Sequence, residues 1–129
     1  MSTTLSEREE FLGNAIVDAA YKVHRSLGPG LLEKVYEACF CHELTKKGIK
    51  FKRQIDLPIM YDQCILDEGL RLDVLVEDLV ICELKAVTLI NPIWPAQVIS
   101  HLKLTGKRLG YLINFNVVKI KDGIKRYIN

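Results

Sequence analysis

Residues 71–85 read Arg71-Leu72-Asp73-Val74-Leu75-Val76-Glu77-Asp78-Leu79-Val80-Ile81-Cys82-Glu83-Leu84-Lys85. Two apolar runs rich in β-branched residues flank a short acidic turn, which is the pattern of a β-hairpin. Asp73, Glu83 and Lys85 are out of place in such runs. An ionised group on an apolar strand is costly unless it is paired or bound to a metal. Glu83 and Lys85 are two residues apart and on a strand share a face. Two readings fit these charges. In one, Glu83–Lys85 or Asp73–Lys85 is an ion pair on a solvated sheet face. In the other, two carboxylates hold a divalent cation and an ammonium stands beside an attacking water, as in metal-dependent phosphodiester hydrolysis. The hairpin register separates them. A two-residue turn at Glu77-Asp78 would send Asp73 and Glu83 to opposite faces. A shared site therefore requires a three-residue loop or a bulge near Glu77 to Leu79.

Ahead of this hairpin the pattern is helical, then extended. Ser6-Glu7-Arg8-Glu9 has the form of a capping box. Leu12, Ile16, Ala19, Ala20, Val23 and Leu27 follow at helical spacing, and Gly28-Pro29-Gly30 stops that helix. A second helix starts at once, with Leu32, Val35, Tyr36, Cys39, Phe40 and Leu44 on its inner stripe. Lys46-Lys47-Gly48 closes it, cations at the C-terminal dipole and then a glycine. Phe51, Ile55, Leu57, Ile59 and Tyr61 form an alternating strand, in which Pro58 marks an edge or a bulge. Asp62-Gln63 reads as a turn, and the central hairpin is expected from about Leu70 to Val87.

After the hairpin, Asn91 to Pro95 reads as a loop leading to a third helix, with Pro95 near its first turn and Gly106 at its end. Leu109 to Phe115 is a near-continuous apolar strand, expected at the centre of a sheet. Val117 to Ile120 and Ile124 to Ile128 read as a last hairpin turning at Lys121-Asp122-Gly123. The order α-α-β-β-β-α-β-β-β describes a mixed α/β or α+β fold.

The chain has 129 residues, 49% hydrophobic and 26% charged, which suits one domain over residues 1–129 with a real core. Apolar runs are broken by charge well short of a membrane span, so no membrane partner is expected. The polar, acidic N-terminus does not resemble a secretory signal, and the expected address is the cytoplasm. Cys39, Cys41, Cys64 and Cys82 match no metal or redox spacing and read as reduced, mostly buried small hydrophobes. The formal charge of +2 does not by itself call for nucleic acid. Lys46, Lys47, Lys50, Lys52 and Arg53 form the densest basic cluster, with Lys103, Lys107 and Arg108 a second. Such clusters contact phosphates or simply face solvent. There is no P-loop, no GxSxG and no dinucleotide fingerprint.

Other residues carry a functional and a structural reading side by side. Glu33 opens the second helix, where a carboxylate complements the helix dipole or reaches a site. Gly30 permits the turn before it. Tyr36 lies on Glu33's face and is either core or ligand contact. Gln97 and His101 share a face of the third helix and either orient a phosphate or water, or face solvent. His24 and His42 read as structural.

Gly30-Leu31-Leu32-Glu33-Lys34-Val35-Tyr36 resembles the motif of the GxxExxY proteins, which are assigned to the PD-(D/E)XK nuclease superfamily. The resemblance runs from about Ile16 to Ile128. It takes in Arg71-Leu72-Asp73, Val80 to Lys85, Ala96-Gln97, Leu112 to Phe115 and Asp122 to Arg126. It implies a nuclease-like core, a mixed β-sheet flanked by α-helices, with a Mg2+ or Mn2+ site at the strand pair. Asp73 then stands for the motif's aspartate, Glu83 and Lys85 for its E-x-K, and Glu33 for the helix glutamate that joins the metal. Gln97 opens a Q-xxx-Y-like element in which His101 replaces the tyrosine. The implied activity is metal-dependent hydrolysis of nucleic acid, DNA ahead of RNA. Asp73, Glu83 and Glu33 would bind the metal, Lys85 would activate the water and Gln97 would orient the site. Cutting both strands of a duplex needs two sites, which a homodimer or a larger partner would supply. The alternative is a non-catalytic module that keeps the fold and binds nucleic acid or a protein.

Overall fold

The computed structural model describes residues 4–129. Helix α1 (Glu7–Leu27) begins with the capping box: Ser6 Oγ accepts from Glu9 N at 3.0 Å and Glu9 Oε1 from Ser6 N at 2.8 Å. Helix α2 (Glu33–Lys46) follows after the glycine-proline break and packs beside it. Five strands form the sheet: β1 (Phe51–Tyr61), β2 (Cys64–Val76), β3 (Val80–Lys85), β4 (Leu109–Asn114) and β5 (Ile124–Ile128). They lie in sequence order, antiparallel except for the parallel pair β3–β4. A parallel neighbour needs a crossover, and helix α3 (Ile93–Thr105) provides it.

The helices take opposite faces. Leu12, Ile16, Tyr36, Phe40 and Leu44 pack with Val80, Cys82 and Leu84 on one side. Val98 and Leu102 of α3 pack with Ile81 and Leu112 on the other. Strand β4 is buried at every position, as its unbroken apolar sequence requires between two layers. This is the mixed α+β architecture expected, a five-stranded mixed sheet flanked by helices. No helix among the described residues is long and apolar enough to cross a membrane.

Three local expectations fail. Val117–Ile120 is not a strand: the chain bends there and forms a short 3-10 turn over Ile120–Gly123. The carbonyl of Val117 is taken by His24 Nε2 of α1 at 2.7 Å, so it is not free to pair in a ladder. Gly123 passes so close to β4 that a Cβ would lie 2.1 Å from the Asn114 carbonyl oxygen. Residues 64–69, which the sequence left outside the strands, belong to β2. They pair with the end of β1 through the Asp62-Gln63 turn, and a bulge falls between Leu57 and Ile59, at Pro58. Trp94 lies in α3 and not in the preceding loop, because Asn91 Oδ1 accepts the Ile93 N–H at 3.0 Å and starts the helix early. All four cysteines are free, but Cys64 is exposed, while Cys41 and Cys82 are buried.

Candidate active site

The hairpin has the register a shared site requires. Val74, Leu75 and Val76 pair with Cys82, Ile81 and Val80 across a three-residue loop, Glu77-Asp78-Leu79. Glu77 and Asp78 both take positive φ, and Leu79 N donates to Val76 O at 2.9 Å. The ladder stops at Val74–Cys82 although both strands continue. One level on, Asp73 stands opposite Glu83. The Asp73 carboxylate takes over the ladder's role, with Leu84 N donating to Asp73 Oδ2 at 2.9 Å.

The two strands of the β1–β2 hairpin also exchange faces at this level. Val74 belongs to the α1–α2 core, yet Leu72, two residues before it, belongs to the α3 core. On β1, Arg53 reaches Glu37 of α2, yet Ile55 packs on the α3 side. A regular strand would keep such pairs on one face. The residues between them, Gln54 and Asp73, are opposite each other, and Gln54 has φ 48. A non-glycine residue at that φ inside a strand is uncommon and strained, and such outliers cluster at functional sites.

Glu83 and Lys85 both turn toward α3. Glu83 Oε1 lies 3.8 Å from His101 Nδ1, and neither of these buried atoms has a hydrogen-bond partner. Burial pushes the Glu83 carboxyl up to about 7, with Asp73 reinforcing the shift and His101 opposing it. Lys85 Nζ rests 4.6 Å from the centroid of the Trp94 ring, a cation–π contact. Among the described residues Lys85 makes no ion pair with Asp73 or Glu83, so neither salt bridge allowed by the sequence forms.

The loop before α2 sets the position of Glu33. Gly30 takes φ 101, which glycine adopts without strain. The Tyr36 hydroxyl donates to Gly28 O at 2.6 Å and accepts from Leu31 N at 3.1 Å. Its fully buried ring stacks on Phe115, centroids 4.7 Å apart. Tyr36 is therefore the clasp of this loop and part of the core. Glu33 is the exposed first residue of α2. Its pKa is raised by partial burial, lowered by Lys85, and raised by Asp73 and Glu37.

Glu37, one turn beyond Glu33, is 5% exposed. It accepts from Arg53 Nε at 3.0 Å and from Gln54 Nε2 at 2.8 Å. Gln54 Nε2 also reaches Asp73 Oδ1 at 3.4 Å. This relay from Glu37 through Gln54 to Asp73 was missed in the sequence. The i, i+4 spacing of Glu33 and Glu37 was the signal available.

Gln97 is exposed on α3, one turn ahead of His101, and hydrogen-bonds to no described residue. The basic clusters are partly neutralised: Lys46 by Glu43, Lys47 by Asp18, Arg53 by Glu37 and Lys107 by Asp78.

No group of three or more His, Cys, Asp or Glu side chains among the described residues forms a ready-made metal cage. Mg2+ does not need one, since it keeps several waters and binds through one or two carboxylates plus substrate phosphates. Asp73 and Glu83, with the unpartnered Glu83 Oε1, fit that demand. A family model of the PD-(D/E)XK nuclease superfamily matches residues 10–127. No curated protein and no solved structure gives a match.

Proposed function

The chain belongs to the PD-(D/E)XK nuclease superfamily, and on that footing we propose that it is a Mg2+- or Mn2+-dependent nuclease acting on DNA. The motif from Gly30 to Tyr36 supports reading it as one of the GxxExxY proteins of that superfamily. The observation that carries the reading is the level at which Asp73 and Glu83 oppose each other. There the backbone ladder ends, Glu83 Oε1 has no partner, and Lys85 lies on the side of Glu83.

Asp73 and Glu83 would hold the cation, with Glu33 as a further carboxylate ligand, direct or through water. When bound, the cation neutralises charge on the phosphate and lowers the pKa of a coordinated water. Asp73 is fixed by the Leu84 N–H and by Gln54, so it enters the site with one orientation. Lys85, which rests on Trp94 and pairs with neither carboxylate, donates to the attacking water and to the phosphate oxygens on which charge develops. Gln97 contacts the phosphate backbone once substrate lies along α3. A module that only bound a partner would have no use for a buried carboxylate oxygen without a hydrogen bond and an ammonium two residues on that pairs with neither carboxylate. Cutting both strands of a duplex calls for two copies of this site.

Labelled single- and double-stranded DNA and RNA, incubated with Mg2+, Mn2+ or chelator, test the reading. Cleavage of DNA that chelator abolishes is expected. Cleavage that survives chelator, or none on any substrate with either metal, would count against it.

A further inference from the structure

The β1–β2 hairpin runs past the rest of the sheet as an arm. Beyond Val74, β2 has no partner in β3, and the two strands continue to the turn at Asp62-Gln63. Ile55 and Leu57 still pack on the α3 side, but the tip is largely exposed. Met60 is 55% exposed, Tyr61 67% and Ile65 70%. A two-stranded hairpin is marginal in water by itself, and a cluster of exposed apolar side chains marks an interaction surface. Asp62, Asp67 and Glu68 are exposed there without ion pairs, and no basic residue lies between Met60 and Leu70. That charge is wrong for a phosphate backbone and right for an apolar pocket with a basic rim.

Such a pocket lies at the base of the same arm. Its volume is about 640 Å³, and Thr45, Ile49, Phe51, Leu75, Lys50 and Lys52 line it. Two acidic residues also border it, but Glu77 is paired with Arg8 and Asp78 with Lys107. Among the described residues Lys50 and Lys52 make no ion pair, though Lys50 acts on Glu77 at longer range; with Glu77 and Asp78 already paired, the surplus charge on the rim is positive. Tip and pocket are separated by the ten steps from Phe51 to Tyr61, about 33 Å of extended strand. A two-fold axis outside the sheet, beside the middle of the edge strand β1 and perpendicular to it, would bring each tip to the pocket of the other copy. A reciprocal contact of this kind closes at two subunits. β1 is the sheet's outer strand, but Pro58 and the bulge break its edge. The copies thus meet through side chains and not through a shared ladder.

We propose that two copies of this chain form a dimer in which each acidic, apolar arm tip occupies the lysine-rimmed pocket at the base of the other arm. The proposal is independent of the reaction described above. The parent chain should run as a dimer in size-exclusion chromatography with light scattering. Ile65→Asp, at a surface position that leaves the fold intact by circular dichroism, should give a monomer. The charge pattern supplies the decisive arm. Asp67→Lys/Glu68→Lys and Lys50→Glu/Lys52→Glu each set like charges against each other and should weaken self-association at least about tenfold. Mixed in equal amounts, the two variants oppose unlike charges at both contacts and should form a heterodimer. A monomeric parent, a dimer that survives Ile65→Asp, or a mixture that stays monomeric would overturn the proposal.

Discussion

Gln54 and Asp73 face each other across β1 and β2 at the level where both strands exchange faces, and the Gln54 amide joins Asp73 to Glu37. Gln54 is held at φ 48 while doing so. Gln54→Gly removes the amide but accepts that φ, whereas Gln54→Ala removes the amide and keeps the strain. By thermal denaturation Gln54→Ala should be less stable than Gln54→Gly by about 1 kcal/mol. Both should bind Mn2+ more weakly than the parent, because Asp73 loses a donor that orients it. Equal stability of the two variants would show that the Gln54 backbone is not strained.

Arg53 is half exposed, but its partner Glu37 is buried. Arg53→Ala leaves a buried carboxylate with one donor fewer, which should cost about 1–3 kcal/mol. Glu37→Gln, which needs no cation, should suffer less when combined with Arg53→Ala than the parent does. Urea denaturation of the four proteins reads this coupling as a double-mutant cycle.

Burial raises the Glu83 carboxyl from an ordinary 4.5 to about 7. Between those values the folded chain holds a proton that the unfolded chain has released. The contribution of Glu83 to stability is therefore complete below about 4.5, falls as pH rises, and levels off above about 7. In chelator, Glu83→Gln should flatten this part of the stability profile. Cation binding needs the ionised carboxylate, so Mn2+ affinity should rise with pH up to about 7 and then level. A Mn2+ affinity independent of pH from 5 to 8 would remove Glu83 from the ligands.

Tyr36 ties Gly28 to Leu31 through one hydroxyl. Tyr36→Phe keeps the stacking on Phe115 but leaves the Gly28 carbonyl and the Leu31 N–H without the hydroxyl. It should cost about 1 kcal/mol in chemical denaturation. It should also loosen Glu33 and lower cleavage more than Glu33-independent properties such as secondary structure. A Tyr36→Phe protein as stable as the parent would make the clasp dispensable.

Much of this was legible in residues 71–85, because burial on both faces of β3 leaves few registers open. A carboxylate at position 83 and another at 73 then decide the turn length. The failures have different causes. Val117 has the local pattern of a strand, but a distant group, His24 of α1, takes its carbonyl. Trp94 has the pattern of a loop, but the Asn91 side chain accepts the N–H of Ile93, two residues on, and starts the helix early. Glu37 looked like an ordinary helix residue. Its role depends on Arg53 and Gln54, sixteen and seventeen residues on, meeting it across a face exchange that no periodicity announces. Arg53 was read within a basic cluster, although its charge is spent on Glu37.

Asp73→Asn and Glu83→Gln take negative charge from a site that holds a hard cation, and both should lower Mn2+ affinity and cleavage together. Lys85→Ala removes no ligand, so Mn2+ should bind as well or better. The cleavage rate of labelled DNA at saturating Mn2+, parent against Lys85→Ala, is therefore the most direct test of the site. The rate should fall by about a hundredfold or more, as for loss of a positioned catalytic group. A Lys85→Ala protein that cuts as fast as the parent would contradict the account.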